Sequence, residues 1–459
     1  MKSEHPSARW LGRLSRDGTP LYLAIVRALD RAIAAGELQA GDRLPPQRDV
    51  AAMLGIDFTT VTRAYAAARS RGLVEATVGR GTFVRSRAAS DDAGLVDLSM
   101  NLPPPPAGLS LATLLRETTA EILQRSDPAA LMAYHPGAGA LGQKAAGAAW
   151  LAPCLGEVAA ERVLLAAGAQ TAIAATLAAV CRPGDAVLCE PLTYPGFKAA
   201  ALQLSLRPVA CAADGEGLTP EALQRACREH RPAALYLPPT MQNPTATTMG
   251  AERRRAIARI AEAQDLWIIE DDPYGRLMDA PPPAVATFAP SRTVFIATLA
   301  KTLTPGLRLA FVVAPEAVTA RLEAGLRALS LMPAPLMAAV LTAWIREGVA
   351  EAILAGIRTE TRERRAMAAR LLPQAVGSAD GLHVWLPLPR DRRPDALRLA
   401  AREKGLAVVT ADAFAVGDAY PNGARISLGG ASKRTVLERA LTDIAELVRG
   451  GEAAAALVV

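Results

Sequence analysis

The chain has 459 residues, 51% apolar and 21% charged, with a formal net charge of +6. That length exceeds one compact core and leads to an expectation of two or three domains, while the balance of residue types excludes a disordered chain. Apolar runs such as AIAATLAAV are too short to cross a bilayer, and the first residues lack the apolar core of a secretion signal. A cytoplasmic protein with no membrane partner is therefore expected.

The excess charge is local. Residues 1–87 hold 14 Lys/Arg against 8 Asp/Glu, a net of +6, which leaves 37 of each sign for the rest of the chain. A neutral body behind a basic N-terminal module points to a polyanion as that module's partner. Five cysteines without C-x-x-C spacing and four scattered histidines give no disulfide framework and no metal site.

The first module spans residues 16–85. PLYLAIVRALDRAIAAG repeats apolar residues at Leu21, Ile25, Leu29 and Ile33, the spacing of an amphipathic helix. A short second helix follows Pro46 and stops at Gly55. A third begins near Asp57 and buries Val61, Tyr65 and Ala68, so the pair reads as a helix-turn-helix. LVEATVGRGTFV then predicts a hairpin with a basic tip, a wing. In this reading the third helix enters the major groove of double-stranded DNA by its N-terminal end and presents Thr59, Thr60 and Arg63. Arg48 contacts the backbone and Arg80 a neighbouring groove or phosphate. The stretch resembles the winged-helix domain of the GntR family of bacterial repressors. Asp57-Phe58 stands where that family often has Ser-Arg, and an acid there is expected to repel phosphate, so base preferences do not carry over.

Small and polar residues at 86–96 predict a short linker. The LPPPP that follows is expected to be an ordered segment covering a cleft. From 97 to 450 the strand-like runs RVLLAAG, DAVLCE, AALYLPP, LWIIEDDPY, TVFIATLA and RLAFVVA alternate with helical stretches. That is an α/β pattern with a largely parallel sheet, its ligands gathering at the strands' carboxyl ends. The large lobe spans about 130–325. A smaller α+β lobe spans about 330–450, with a strand pair at GLHVWLPLP and ARISLGG.

Within TLAKTLTPGLRLA, Lys301 and Arg308 need an anionic partner. The free N–H groups of Gly168, Ala169 and Gln170 at a helix start form an anion site. Arg308 adds a bidentate contact and Thr298 a hydroxyl, so the expected anion is a phosphate monoester. In such a pocket Lys301 can lose its proton and attack an aldehyde, forming a Schiff base. A phosphorylated aldehyde held by a lysine describes pyridoxal 5′-phosphate. Asp271 would hold the pyridine nitrogen protonated, Tyr274 and Asn243 would reach the phenolic oxygen, and Tyr194 would stack on the ring. Arg425 suits a substrate or effector carboxylate.

In this order and spacing, residues 97–450 resemble the fold-type I aminotransferases. The resemblance implies the same roles for Lys301, Asp271, Asn243, Tyr274, Tyr194, Thr298, Arg308 and Arg425. AYHPGAGALG resembles the family segment whose tyrosine, here Tyr134, reaches the phosphate of a neighbouring subunit, which implies a homodimer. Ala300 and Ala169 depart from the more usual serine, or serine and glycine. Joined to the winged helix, the whole chain is similar to the MocR/GabR group of bacterial regulators. This implies a transcription factor that depends on pyridoxal phosphate, senses an amino compound or the cofactor itself, and binds DNA with paired half-sites. The alternative is an aminotransferase with an accessory winged helix.

Overall fold

The computed structural model describes residues 10–12, 14, 19–34, 37–38, 42–77, 81–84, 95–135, 137–389 and 393–456. The chain divides into two compact units, Met1–Gly94 and Leu95–Val459. Arg80 and nearly all of the 86–96 linker lie outside the described residues. Val96, assigned to the linker from sequence, is already paired in a strand with Leu406.

The first unit contains α1 (Leu21–Ala34), α2 (Gln47–Leu54), α3 (Phe58–Ser70) and an antiparallel hairpin of β1 (Val74–Thr77) and β2 (Gly81–Val84). Ile25 and Leu29 of α1 meet Val50, Val61, Tyr65 and Ala68 in one core, closed by Val74 and Val84 from the hairpin. Gly55 ends α2 in the left-handed conformation, φ 64°, where a side chain would be strained. Asp57 starts α3, its carboxylate accepting the backbone N–H of Thr59 at 2.7 Å.

In the second unit a seven-stranded sheet is built from β3 (Val163–Ala166), β4 (Ala186–Cys189), β5 (Arg207–Ala210), β6 (Ala234–Leu237), β7 (Trp267–Asp271), β8 (Thr293–Thr298) and β9 (Ala310–Val313). Their spatial order is β3-β9-β8-β7-β6-β4-β5. Six strands run one way and β9 runs against both of its neighbours. Strands β3, β4, β6, β8 and β9 are buried along their whole length, as expected of a sheet covered on both faces. The helix Ala169–Val180 leaves the end of β3, and Asp271 and Thr298 close β7 and β8, so the polar residues collect at one edge of the sheet.

The smaller lobe packs helices Val349–Leu371 and Arg434–Ala456 around three antiparallel strands: β10 (His383–Pro387), β11 (Val409–Thr410) and β12 (Gly423–Ser427), in the order β10-β12-β11. The chain reaches this lobe through Val96–Asp97, paired in parallel with Leu406–Ala407. It then passes so close to Gly429 and Gly430 that a Cβ there would meet the carbonyl oxygens of Leu102 and Asp97 at 1.8 and 2.0 Å. No helix among the described residues is long and apolar enough to cross a membrane.

Candidate functional site

One polar pocket gathers most of the residues singled out from sequence. Lys301 sits in the turn after β8, and its Nζ donates to the carbonyl oxygen of Asn101. Burial first, then the positive charges of Arg425 and Arg308, lower its pKa to about 8, with Asp271 pulling the other way. A lysine so placed loses its proton far more readily than one in water, as a nucleophilic amine requires.

Asp271 ends β7 and is 6% exposed. Its Oδ2 accepts the hydroxyl of Tyr236 at 2.5 Å, while Oδ1 is buried without a partner. Burial raises its pKa to about 6; Asp272 adds to the rise, and Tyr236 and Lys301 oppose it. A buried carboxylate with a spare oxygen is completed by a cationic N–H donor.

At the start of the helix Ala169–Val180, Gly168 adopts φ 93° as its N-cap. A Cβ on Gly168 would lie 3.0 Å from Nη2 of Arg308, so the guanidinium lies beside the start of that helix. There the N–H of Gly168, expected to be free, instead donates to the carbonyl oxygen of Ala166 at 2.8 Å, leaving the Ala169 and Gln170 N–H groups for an anion. Two sources of positive potential thus converge on one point, an arrangement for a phosphate. Gln170 turns aside and donates to the carbonyl oxygen of Gly196 at 2.8 Å. Built on Gly196, a Cβ would collide with both Gln170 and the Tyr194 ring, which places these two side chains together. Thr298 is buried, its hydroxyl accepting the N–H of Ala300 at 3.2 Å.

Arg425 on β12 is 7% exposed. It donates through Nη1 to Oδ1 of Asn243 at 2.7 Å and through Nη2 to the carbonyl oxygen of Ser99, and its guanidinium lies 5.1 Å from the centre of the Phe414 ring. Tyr274 is 1% exposed and its hydroxyl accepts from Nδ2 of Asn101 at 2.8 Å. Tyr134, by contrast, is 80% exposed and not buried with this group.

Sequence reasoning missed Tyr236, Asn101, Ser99 and His383. Tyr236 was hidden in an apolar strand; Ser99 and Asn101 precede the proline run. His383 is one histidine on a buried strand, where a core role is the ordinary reading.

In the first unit, Thr59 is tied to Asp57 through both its backbone N–H and its hydroxyl. The carboxylate that was expected to repel phosphate therefore serves as the helix cap, with its pKa lowered by those bonds. Thr60 is half-buried, Arg48 is exposed, and Phe58 is 45% exposed at the head of α3. Arg63 lies 4.1 Å over the ring of Tyr22, a contact that sets its direction.

Comparison with known proteins agrees with both units. Residues 93–444 match the family of class I and II aminotransferases, and residues 21–84 match the bacterial regulatory proteins of the gntR family. An uncharacterized HTH-type transcriptional regulator of Bacillus subtilis, YdeF, is 32% identical over 450 residues, 96% of each chain. The vitamin B6 salvage pathway transcriptional repressor PtsJ of Salmonella typhimurium is 29% identical, over 88% of this chain and 93% of its own. Among solved structures, the alpha-aminoadipate aminotransferase LysN of Thermus thermophilus superposes with a TM-score of 0.72 at 24% identity, over 79% of this chain and 96% of that one.

Proposed function

Because the chain belongs to the class I and II aminotransferase family, in the MocR-type branch that carries a gntR-family domain, we propose that it is a transcriptional regulator governed by pyridoxal 5′-phosphate at Lys301. The observation that carries this reading is the convergence of Lys301, a half-satisfied buried Asp271 and the Gly168–Arg308 cradle in one pocket.

These residues fit the cofactor. Bound there, pyridoxal phosphate supplies an aldehyde for an amine to condense with and a ring that draws electrons. Asp271 offers its free Oδ1 to the pyridine N–H. The helix start at Ala169 and Gln170, with Arg308 and Thr298, receives the phosphate. Tyr194 lies against the ring, and Asn243 and Tyr274 serve the phenolic oxygen. The partner subunit of a homodimer brings its own Tyr134 to the phosphate, a reading that fits a side chain left exposed here. Arg425 holds the carboxylate of an amino-compound effector by its two Nη groups.

An effector that engages Lys301 and Arg425 changes DNA binding only by favouring one state of the chain over another. Recognition of operator DNA falls to Arg48, Thr59, Thr60, Arg63 and Arg80, with paired half-sites for a dimer. PtsJ is, by name, a repressor of a vitamin B6 salvage pathway, and a B6 vitamer bound in the present chain would suit a relative that regulates such a pathway. The deciding experiment pairs visible absorbance with operator binding by the full chain. Colour on adding pyridoxal phosphate, together with an operator affinity that responds to it or to an amino compound, supports the regulator. Steady formation of 2-oxo acid with no selective DNA complex supports an aminotransferase instead.

A further inference from the structure

His383 stands on β10 and is wholly buried. Its Nε2 faces the carbonyl oxygen of Gln242 at 3.2 Å, and a carbonyl can only accept, so this nitrogen carries the ring's hydrogen. Burial, with Arg425 and then Lys301 nearby, lowers the pKa of the ring to about 3, against the opposing bond to Gln242. The ring is therefore neutral at ordinary pH, and Nδ1 is a bare lone pair.

That lone pair lies 3.0 Å from Nδ2 of Asn101. The orientation of the Asn101 amide follows: turned over, its Oδ1 would face Nδ1 with no hydrogen between them. The second hydrogen of the same Nδ2 goes to the Tyr274 hydroxyl at 2.8 Å. Tyr274 accepts from Asn101, so its own hydroxyl proton is left to give. Asn101 Oδ1, buried and unpartnered, is the oxygen that would have taken that proton had the amide been reversed.

We propose that Asn101 and His383 are positioning residues: the histidine tautomer fixes the asparagine amide, and the amide turns the Tyr274 proton toward the phenolic oxygen of the bound cofactor. This rests on the reading of the pocket as a pyridoxal phosphate site. Three separate stretches of chain contribute, the entry segment (Asn101), the loop after β6 (Gln242) and the smaller lobe (His383), so the lone histidine acquires a role that its sequence context does not show.

A donor aimed at the phenolic oxygen favours its anionic form, and so lowers the pH at which the visible band of the lysine-bound cofactor titrates. The test is that titration in the full chain loaded with pyridoxal phosphate. Tyr274→Phe should raise the band's apparent pKa by about one unit, tenfold in the equilibrium. His383→Phe frees the amide to turn its oxygen to the hydroxyl, and should raise it part of the way. The double variant should match Tyr274→Phe alone, because His383 acts only through Tyr274, whereas a merely structural role would add to the shift. A His383→Phe band that titrates as in wild type, or a double variant showing the sum, overturns the proposal.

Should His383→Phe not fold, nitrogen NMR of histidine-labelled wild type decides: an Nε2–H tautomer, unprotonated down to pH 5, is expected, and an Nδ1–H tautomer overturns the proposal. Wild type without a visible band removes the cofactor reading, and this proposal with it. A band insensitive to His383 removes this proposal alone.

Discussion

Tyr236 gives its hydroxyl proton to Asp271 at 2.5 Å, on neighbouring strands of the central sheet, and leaves the other carboxylate oxygen buried and unspent. The tyrosine thereby occupies one oxygen of Asp271, leaves Oδ1 as the one able to accept a further hydrogen bond, and holds the group's pKa below what burial alone would give.

The sign of that burial has a measurable result in the cofactor-free chain. The folded pKa of about 6 is above the 3.8 of an ordinary aspartate, so the folded state holds this proton more tightly than the unfolded one. The resulting stability is fully present below pH 3.8 and is lost as pH rises through 6. Asp271→Asn should thus stabilise the cofactor-free chain at pH 7.5, by roughly 1–3 kcal/mol, with little gain at pH 4. At the same time it should weaken cofactor binding. Thermal melts at the two pH values check this, and an equal gain at both contradicts it.

Gly168→Ala should keep the fold and lose cofactor affinity. The position needs φ 93°, and the new methyl would press on Arg308 at 3.0 Å. Backbone strain of roughly 1–3 kcal/mol, in an extended positive-φ conformation open essentially to glycine alone, and a displaced guanidinium should together weaken pyridoxal phosphate binding by about tenfold or more. Titration of the visible band measures it, and undiminished affinity would refute the phosphate cradle.

Most of the pocket was legible because each part has a type and a place: a lysine and an arginine in an apolar turn, an acid closing a buried strand, a glycine opening a helix. The fold was legible for a related reason, since short β-branched apolar runs such as VLLA and FIAT, each closed by polar or glycine residues and separated by helical stretches, fit interior strands of a covered sheet. The reversed direction of β9 was not legible, because direction is set by the connection and leaves no mark on AFVV itself. Nor were Asn101, Tyr236 and His383. Their roles come from partners 35 to 282 residues away, and a single polar side chain in an apolar run carries no signal of such partners. In the first unit, helix spacing gave the buried faces, but the hold of Tyr22 on Arg63 depends on how α1 meets α3.

Arg63→Ala should weaken operator binding by about tenfold or more and leave the cofactor band unchanged. If Arg63 meets a phosphate, the slope of log affinity against log salt should fall by about one; if it meets a guanine edge, selectivity at that base should relax. Tyr22→Leu, which removes the ring beneath the guanidinium, should give a smaller loss in the same direction. Unchanged affinity in Arg63→Ala would place the groove contact elsewhere.

Arg425→Ala should separate effector classes. The side chain holds Asn243 and Ser99 together and carries the two Nη donors that suit a carboxylate. The variant should lose its response to carboxylate-bearing amino compounds, read as a spectral change, while simple amines still produce one. An undiminished response to an amino acid contradicts the clamp.

The most direct measurement is operator affinity of wild type and Lys301→Ala, each with and without pyridoxal phosphate and then a panel of amino compounds. Wild type should change its affinity by about fivefold or more on adding the cofactor or one of these compounds, with no multiple-turnover release of 2-oxo acid. Lys301→Ala should remain folded, lack the visible band and hold DNA indifferently. If wild type stays colourless, or grips its operator identically under all these conditions, the account is contradicted.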